Sequence, residues 1–140
     1  MKRSRRKVLK AGAALAAAAS LPFSRVARAQ AGPVKIGMSM PQTGSLGAGG
    51  QAALVALRLW VDDVNQRGGL MNRKVELIAY DDQTNPANVP GIYTKLLDVD
   101  KVDLLIAPYG TVPTAPIMPM VKQRGLLLMG NFSFQVNAKV

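Results

Sequence analysis

The chain has 140 residues, no cysteine and no histidine, and a formal net charge of +10. The absence of these two residue types excludes a disulfide framework, thiolate or imidazole metal ligands, a thiol nucleophile and an imidazole base. Eight of the 18 Lys and Arg residues lie within the first 28 positions and all eight Asp and Glu lie beyond them, so the remainder carries only +2. The basic composition therefore gives no support to a nucleic-acid partner.

Residues 1–29 have the pattern of an export signal peptide. A basic head at positions 2–10 is followed by an apolar run of about 13 residues at 11–23, and small residues then precede the predicted cleavage point between Ala29 and Gln30. The apolar run is shorter than the ~20 residues that span a bilayer. We therefore expect cleavage and release into the periplasm, with no retained membrane anchor.

The stretch SRRKVLK, residues 4–10, resembles the twin-arginine export consensus, with Val8 where that pattern usually has phenylalanine. The general secretion route is the alternative. Both routes predict the same mature chain, residues 30–140, which is long enough for one domain with one core.

Short apolar runs alternate with longer mixed stretches from residue 34 onward, a pattern typical of alternating strands and helices. Connections of this length imply right-handed crossovers, so the predicted fold class is α/β, a parallel sheet with helices on both faces. The predicted strands are Val34–Met40, Lys74–Asp82, Val102–Pro108 and Leu126–Met129, the last two of them buried. Three helices are predicted. The first is Gly50–Arg67 and the third is Pro116–Gln123. The second ends near Val99, and it either starts near Pro90 with Asn88 as its N-cap or is kinked at Pro90.

The helix over Gly50–Arg67 has apolar residues at helical spacing. Leu57, Trp60 and Val64 share one face, and this spacing predicts that Trp60 is a core residue. Gly68 and Gly69 predict the end of the helix.

The glycine-rich stretch before this helix contains Gly47, Gly49 and Ala52 in the order G-x-G-x-x-A, a pattern that binds dinucleotides when it directly follows a strand. Here Gly47 comes seven residues after the predicted strand end at Met40, which is too far for the tight turn. The next acidic pair, Asp81 and Asp82, lies 34 and 35 residues beyond Gly47, whereas the dinucleotide pattern places its acidic residue about 20 residues on. The spacing disfavours a dinucleotide site.

Asp81 and Asp82 also suggest a metal pair, but neighbouring strand residues point to opposite faces and their carboxylates do not converge. No second cluster of oxygen ligands is visible in the sequence. We therefore expect a solvated strand end here, and neither a metal nor a cofactor.

Three segments follow strands of the predicted sheet and are expected at one rim, because ligands of such sheets bind outside the carboxyl ends of the strands. These segments are Pro41–Gly50, Tyr109–Thr114 and Gly130–Phe134. They contain hydroxyl residues and glycines, listed here as Thr43, Ser45, Thr111, Thr114 and Ser133 with Gly44, Gly47 and Gly110. Hydroxyls, helix N-termini and closely approaching backbone bind small anions, and they predict ligand binding without catalysis.

Several stretches, in order, resemble the branched-chain amino-acid binding family of periplasmic substrate-binding proteins that serve ABC importers. They are VKIGMSMPQTGSLGAGGQ (34–51), VDDVNQRGGLMNRKVELIAYDDQTNP (61–86), LLIAPYGT (104–111) and PMVKQRGLLLMG (119–130). The resemblance implies a type I periplasmic binding fold of two α/β lobes that enclose the ligand. It covers residues 34 to 134 and only the first, N-terminal lobe, so residues 30–140 are expected to be a truncated lobe of such a protein.

The resemblance also implies site residues. Thr111, preceded by Tyr109 and Gly110, occupies the position whose hydroxyl contacts the amino-acid head group of the ligand. Packing for Tyr109 and helix capping for Thr111 are the alternatives. Further contacts are implied for Asn131, Phe132 and Ser133 in the loop after the fourth strand, and for Ser45 and Leu46 in the opening glycine loop.

The predicted function is therefore a non-enzymatic, extracytoplasmic solute-binding component for an amino acid or a related small carboxylate or amide. Its expected partner is an ABC permease in the membrane. Two alternatives remain open: a periplasmic oxidoreductase with a nucleotide cofactor, suggested by the G-x-G-x-x-A pattern and the export route, and a ligand-sensing domain of the same fold.

Overall fold

The computed structural model describes residues 32–130. The predicted signal peptide at residues 1–29 and its cleavage point lie outside the described residues. The same holds for Asn131, Phe132 and Ser133.

Four parallel strands form one sheet in the order β2-β1-β3-β4. They are β1 (Val34–Met40), β2 (Val75–Asp81), β3 (Leu104–Ile106) and β4 (Leu128–Met129). β1 pairs with β2 along its whole length, from Val34 opposite Val75 to Met40 opposite Asp81. This topology confirms the predicted α/β fold class, and it brings the carboxyl ends of the strands to one edge.

Helix α1 (Gly47–Gln66) crosses from β1 to β2 and begins three residues earlier than predicted. Near its end, the side chain of Asn65 bonds both backbone groups of Val75. It donates to the Val75 carbonyl at 2.9 Å and accepts from the Val75 N–H at 2.7 Å. The last turn of the helix is thereby joined to the first residue of β2, which fixes the register of the crossover.

The second crossover begins with a 3₁₀ turn, Pro86–Asn88, and continues as helix α2 (Val89–Asp98). Asn85 caps the turn by accepting the N–H of Ala87 at 3.0 Å. Pro90 lies in the first turn of α2, where backbone N–H groups have no intrahelical partner, so it is accommodated there. Of the two predicted alternatives, the start near Pro90 is therefore observed. Asn88 precedes this helix but makes no side-chain cap.

The segment between β3 and β4 is helical over a longer range than predicted. It consists of α3 (Thr111–Thr114), a 3₁₀ turn (Ala115–Ile117) and α4 (Met118–Gln123). Its prolines lie in the first turns of these short pieces, where a missing N–H costs little. The predicted helix at Pro116–Gln123 is thus correct in type but starts five residues too late.

Two apolar clusters pack on the two faces of the sheet. One joins alternate residues of β1 to α1, and its buried members include Val34, Ile36, Met38, Met40, Leu54 and Val64. The other joins β3 to α2 and α4, and its buried members are Val89, Tyr93, Leu96, Leu105, Ile117 and Val121. Tyr93 donates its hydroxyl to the carbonyl of Ile106, and burial raises the pKa of that hydroxyl. Helices therefore cover both faces, as predicted.

Two burial predictions were wrong. Trp60 is 40% exposed, because the face of α1 that packs on the sheet is centred on Leu54, Leu57 and Val61 and leaves Trp60 at its margin. β4 was predicted as a buried strand, yet Leu127 is 73% exposed and Met129 48% exposed. β4 is an edge strand whose only neighbour among the described residues is β3, so its outer side is not covered by them. Within residues 32–130, no helix combines the length and apolar character needed to cross a membrane.

Candidate ligand-binding site

A cavity of about 190 Å³ opens at the carboxyl ends of β1, β2 and β3. Its volume is below the ~300–1,000 Å³ typical of small-molecule sites. The first wall comprises residues 41–46 after β1 and 82–86 after β2, and the second wall comprises residues 109–113 after β3. The lining residues are Pro41, Leu46, Asp82, Thr84, Pro86, Tyr109, Val112 and Pro113.

The carboxylate of Asp81 holds the glycine loop of the first wall. Its Oδ1 accepts the N–H groups of Gln42 at 2.8 Å, Thr43 at 3.3 Å and Gln83 at 2.8 Å. Its Oδ2 accepts the hydroxyl of Thr43 at 2.7 Å. Burial by itself would raise the pKa of Asp81, but the bonds from Thr43, Gln83 and Gln42 hold it below its ordinary value.

The second carboxylate, that of Asp82, is buried at 2% exposure. Its Oδ2 accepts the hydroxyl of fully buried Ser39 at 2.5 Å, and its Oδ1 accepts the N–H of Thr84 at 3.0 Å. The prediction of a solvated strand end at Asp81 and Asp82 is therefore wrong. The two side chains do diverge, as strand geometry requires, but each is bonded by a neighbouring segment of the protein.

The turn after β2 contains two consecutive residues in the left-handed region, Gln83 at φ 60° and Thr84 at φ 58°. The N–H of Asn85 donates to the carbonyl of Asp82 at 2.9 Å and closes the turn. The hydroxyl of Thr84 donates to the carbonyl of Thr43 at 2.8 Å and accepts the N–H of Leu46 at 3.2 Å. Thr84 thus bridges the two segments of the first wall.

Close packing explains the glycines of the G-x-G-x-x-A pattern and its surroundings. A Cβ at Gly50 would lie 1.8 Å from the carbonyl oxygen of Pro41, and one at Gly49 would lie 3.0 Å from the hydroxyl oxygen of Tyr109. Gly44 has φ 84°, and a Cβ there would lie 2.6 Å from the Thr84 hydroxyl oxygen. A Cβ at Gly47 would lie 3.1 Å from the carbonyl oxygen of Gln42, so both glycines of the pattern lie close to other parts of the protein and no dinucleotide is needed to account for them.

The second wall combines a local hydrogen bond across the turn of α3 with packing of Tyr109 against α1. Gly110 has φ 110°, a conformation that L side chains rarely adopt, and it directly precedes α3. Thr114 is fully buried and donates its hydroxyl to the Gly110 carbonyl at 2.7 Å. Tyr109 lies three residues after the end of β3, half-buried, with the hydroxyl end of its side chain against Gly49.

The structure brings part of the predicted site together. Leu46 and Tyr109 both line the cavity, and Gly110 and Thr111 continue the second wall beside it. Ser45 is exposed and does not line the cavity. The ligand role of each of these residues, and of Asn131, Phe132 and Ser133 outside the described residues, stays a prediction.

Sequence reasoning missed the contribution of the loop after β2. Asp82, Thr84 and Pro86 line the cavity, yet only the loops after the first, third and fourth strands were assigned to the rim. The same topological rule applies to β2, so the signal was available. Among residues 32–130, no group of three or more acidic side chains is close enough together to hold a metal ion.

Comparison with known proteins gives the same fold. The Leu/Ile/Val-binding protein BraC3 of Rhizobium johnstonii is 27% identical over 111 residues, which are 79% of this chain and 29% of that protein. The branched-chain amino acid transporter substrate binding protein LivJ from Streptococcus pneumoniae, solved with isoleucine, aligns with a TM-score of 0.69 and 27% identity over 75% of this chain and 30% of that chain. A periplasmic binding protein type 1 from Bordetella pertussis aligns with a TM-score of 0.63 and 30% identity, over 69% of this chain and 26% of that chain.

The chain thus spans about 30% of the length of the relatives that it matches. These relatives are binding proteins and not enzymes. The profile of the family described as periplasmic binding protein matches residues 33–139, nearly all of the described region. The chain belongs to the periplasmic binding protein family.

Proposed function

We propose that this chain forms the N-terminal lobe of the solute-binding component of an ABC importer for an amino acid or a related small carboxylate or amide. The observation that carries the proposal is the cavity at the sheet rim, in a chain of this family, with Leu46 and Tyr109 on facing walls. The named ligands of the relatives, Leu, Ile and Val, agree in kind with its mostly apolar lining.

The chemistry of the walls favours binding over catalysis. Pro41, Leu46 and Val112 offer apolar surface to a ligand side chain. The hydroxyl of Thr111, in the second wall, is the group that we propose for the ligand's head group, since a hydroxyl donates to a carboxylate or accepts from an ammonium. Asp81 and Asp82 already accept hydrogen bonds from the protein itself, so their role here is structural.

A periplasmic binding protein acts outside the cytoplasm, and we propose that residues 1–29 direct this chain there through the twin-arginine route. The proposed partner is the membrane permease of the importer. N-terminal sequencing of the exported protein tests the signal assignment: a first residue of Gln30 is expected, and an intact N-terminus in the periplasmic fraction would contradict it.

The experiment that tests the binding function is a thermal-shift screen of the full-length protein against amino acids, aromatic acids and amides. A specific ligand raises the melting temperature by mass action. We expect a concentration-dependent rise with at least one amino acid or small carboxylate. A protein unaffected by every compound in all three classes would contradict the proposal.

Thr111→Ala tests the residue assignment once a ligand is in hand. We expect weaker binding by about 1 to 3 kcal/mol in calorimetry, because a charged ligand group loses a hydrogen-bond partner. Thr94→Ala is the matched control, since the Thr94 hydroxyl donates to the Pro90 carbonyl on α2, remote from the cavity lining. Unchanged affinity in Thr111→Ala would reject this residue while leaving the binding function in place.

A further inference from the structure

Thr84 has an unfavourable backbone conformation for its residue type. It is β-branched, yet it occupies the left-handed region at φ 58°, immediately after Gln83 at φ 60°. β-branched residues in this region are genuine outliers, and such conformations persist where surrounding contacts determine them and are concentrated at binding sites. Asparagine or glycine would adopt the same backbone with less strain, so the threonine side chain calls for a separate explanation.

The contacts of the Thr84 hydroxyl supply that explanation. It donates to the Thr43 carbonyl and accepts the N–H of Leu46, so one oxygen atom joins two points of the glycine loop to the turn after β2. Leu46 lines the cavity at the end of this loop, and the residue is 45% exposed. The backbone N–H of Leu46 is thus bonded by Thr84, which itself lines the adjoining part of the first wall.

Asp81 and Thr84 accept hydrogen bonds from different N–H groups of the loop. Asp81 bonds the N–H groups of Gln42 and Thr43, at the start of the loop, whereas Thr84 bonds Leu46 at its end. Gly44 lies between these two points and has the conformational freedom of glycine. Loss of the Thr84 hydroxyl therefore removes the acceptor of the Leu46 N–H, while the Leu46 carbonyl keeps its bond from the Gly50 N–H and Asp81 keeps the start of the loop attached to β2.

We propose that Thr84 is a positioning residue for the ligand cavity: its hydroxyl fixes Leu46 in the first wall and so sets the affinity of the cavity for its ligand. The affinity part rests on the proposed function. A wall that is ordered before the ligand arrives loses less conformational entropy on binding, and affinity rises accordingly. Thr84 acts here through Leu46 and needs no contact with the ligand.

The test uses the full-length protein and Thr84→Val, which keeps the branched shape and removes the hydroxyl. We expect amide hydrogen exchange at Leu46 to become about fivefold faster, and affinity for the probes L-leucine, L-isoleucine and L-valine to fall about fivefold, the scale of one lost hydrogen bond. Exchange in β1, at Ile36 and Met38, is expected to stay unchanged. Thr84→Ala is the second variant if the valine disturbs folding, and it is expected to act in the same direction.

Two further variants separate positioning from general stability. Thr84→Ser retains the hydroxyl and is expected to restore both exchange at Leu46 and affinity to within about twofold of the original protein. Thr94→Val is the matched control, because it removes a threonine hydroxyl that donates to a backbone carbonyl at 2.9 Å on α2. It is expected to change neither readout.

The proposal is overturned if exchange at Leu46 is unaffected in Thr84→Val, if exchange rises equally throughout β1, or if affinity stays unchanged while Leu46 is released. Failure of the proposed function gives a different result. The original protein would then bind none of the three amino acids, and exchange at Leu46 alone would decide whether Thr84 fixes the wall.

Discussion

The two walls of the cavity are held by different kinds of contact. The first wall depends on hydrogen bonds between residues far apart in sequence, such as Thr43 to Asp81 over 38 positions and Thr84 to Thr43 over 41. In the second wall, the Thr114 hydroxyl bonds the Gly110 carbonyl only four positions away, while Tyr109 packs against Gly49 of α1. The shape of the first wall therefore depends on the paired strands β1 and β2, whereas the turn at residues 110–114 of the second wall is held by a bond within its own segment.

This difference predicts how far the effect of a substitution extends from each wall. Substitutions that disturb the packing of α1 on the end of β1, or the Asp81 carboxylate, are expected to weaken the β1-α1-β2 unit as a whole, whereas loss of the Thr84 hydroxyl is expected to act at Leu46 alone. A change in the second wall is expected to remain local. Three substitutions, in order of decreasing effect, test this contrast.

Gly50→Ala is expected to have the largest effect, a loss of at least about 3 kcal/mol in the free energy of unfolding. The new Cβ would lie 1.8 Å from the Pro41 carbonyl oxygen, so α1 and the end of β1 must move apart. Urea denaturation measures the change. Gly91→Ala on α2 is the control, because no heavy atom lies within 4 Å of its Cβ position and alanine favours the helix, so a small gain in stability is expected. Equal effects of the two changes would contradict the structure at the first wall.

Asp81→Asn is expected to cost about 1 to 2 kcal/mol, because an amide replaces a carboxylate that accepts bonds from Gln42, Thr43 and Gln83. The pKa of Asp81 is lowered in the folded state, so its contribution to stability is present above pH about 4, the unfolded pKa, and is lost as the pH falls through the folded pKa.

Urea denaturation between pH about 6 and 2 checks this sign, since Asp81→Asn is expected to flatten the acid limb of the stability curve. The pKa of Asp98 is also lowered, by the hydrogen bond from Arg124. Asp98 is present in both the original protein and Asp81→Asn, so the difference between their two stability curves isolates the contribution of Asp81. Parallel curves with no change in acid dependence would show that the Asp81 carboxylate is not held as described.

Thr114→Val is expected to have the smallest effect, about 1 kcal/mol, since valine fills the same buried space but cannot donate to the Gly110 carbonyl. Faster amide exchange is expected at residues 110–114 and unchanged exchange at residues 42–46. Loss of protection in both walls together would refute the independence of the second wall.

The sequence predicted the elements of the fold well, because their hydrophobic periodicity is set by burial. β1 begins at Val34 and ends at Met40, as predicted, and the four strands and their parallel pairing follow from the alternation of strands and helices, although β3 and β4 are shorter than predicted. Helix starts were less accurate. The glycines at 47–50 have low helix propensity, and the structure overrides it by packing α1 against the end of β1.

The candidate site was predicted in part, and its errors concern polar residues. Leu46 and Tyr109 were placed at the rim by topology and by the resemblance, and both line the cavity. The roles of Asp82 and Thr84 depend on partners 43 and 41 positions away, Ser39 and Thr43, and no local pattern encodes such pairs. A carboxylate at a strand end looks the same in sequence whether water or a distant loop satisfies it.

The sequence separation of the Asp81 and Thr84 contacts also has a kinetic consequence. Neither contact forms until α1 has closed the crossover and β1 lies beside β2, an ordering step whose loop entropy must be overcome first. We expect the contacts of the first wall to form late in folding, after the helices have formed. A folding chain would then possess most of its secondary structure before it acquires a competent cavity.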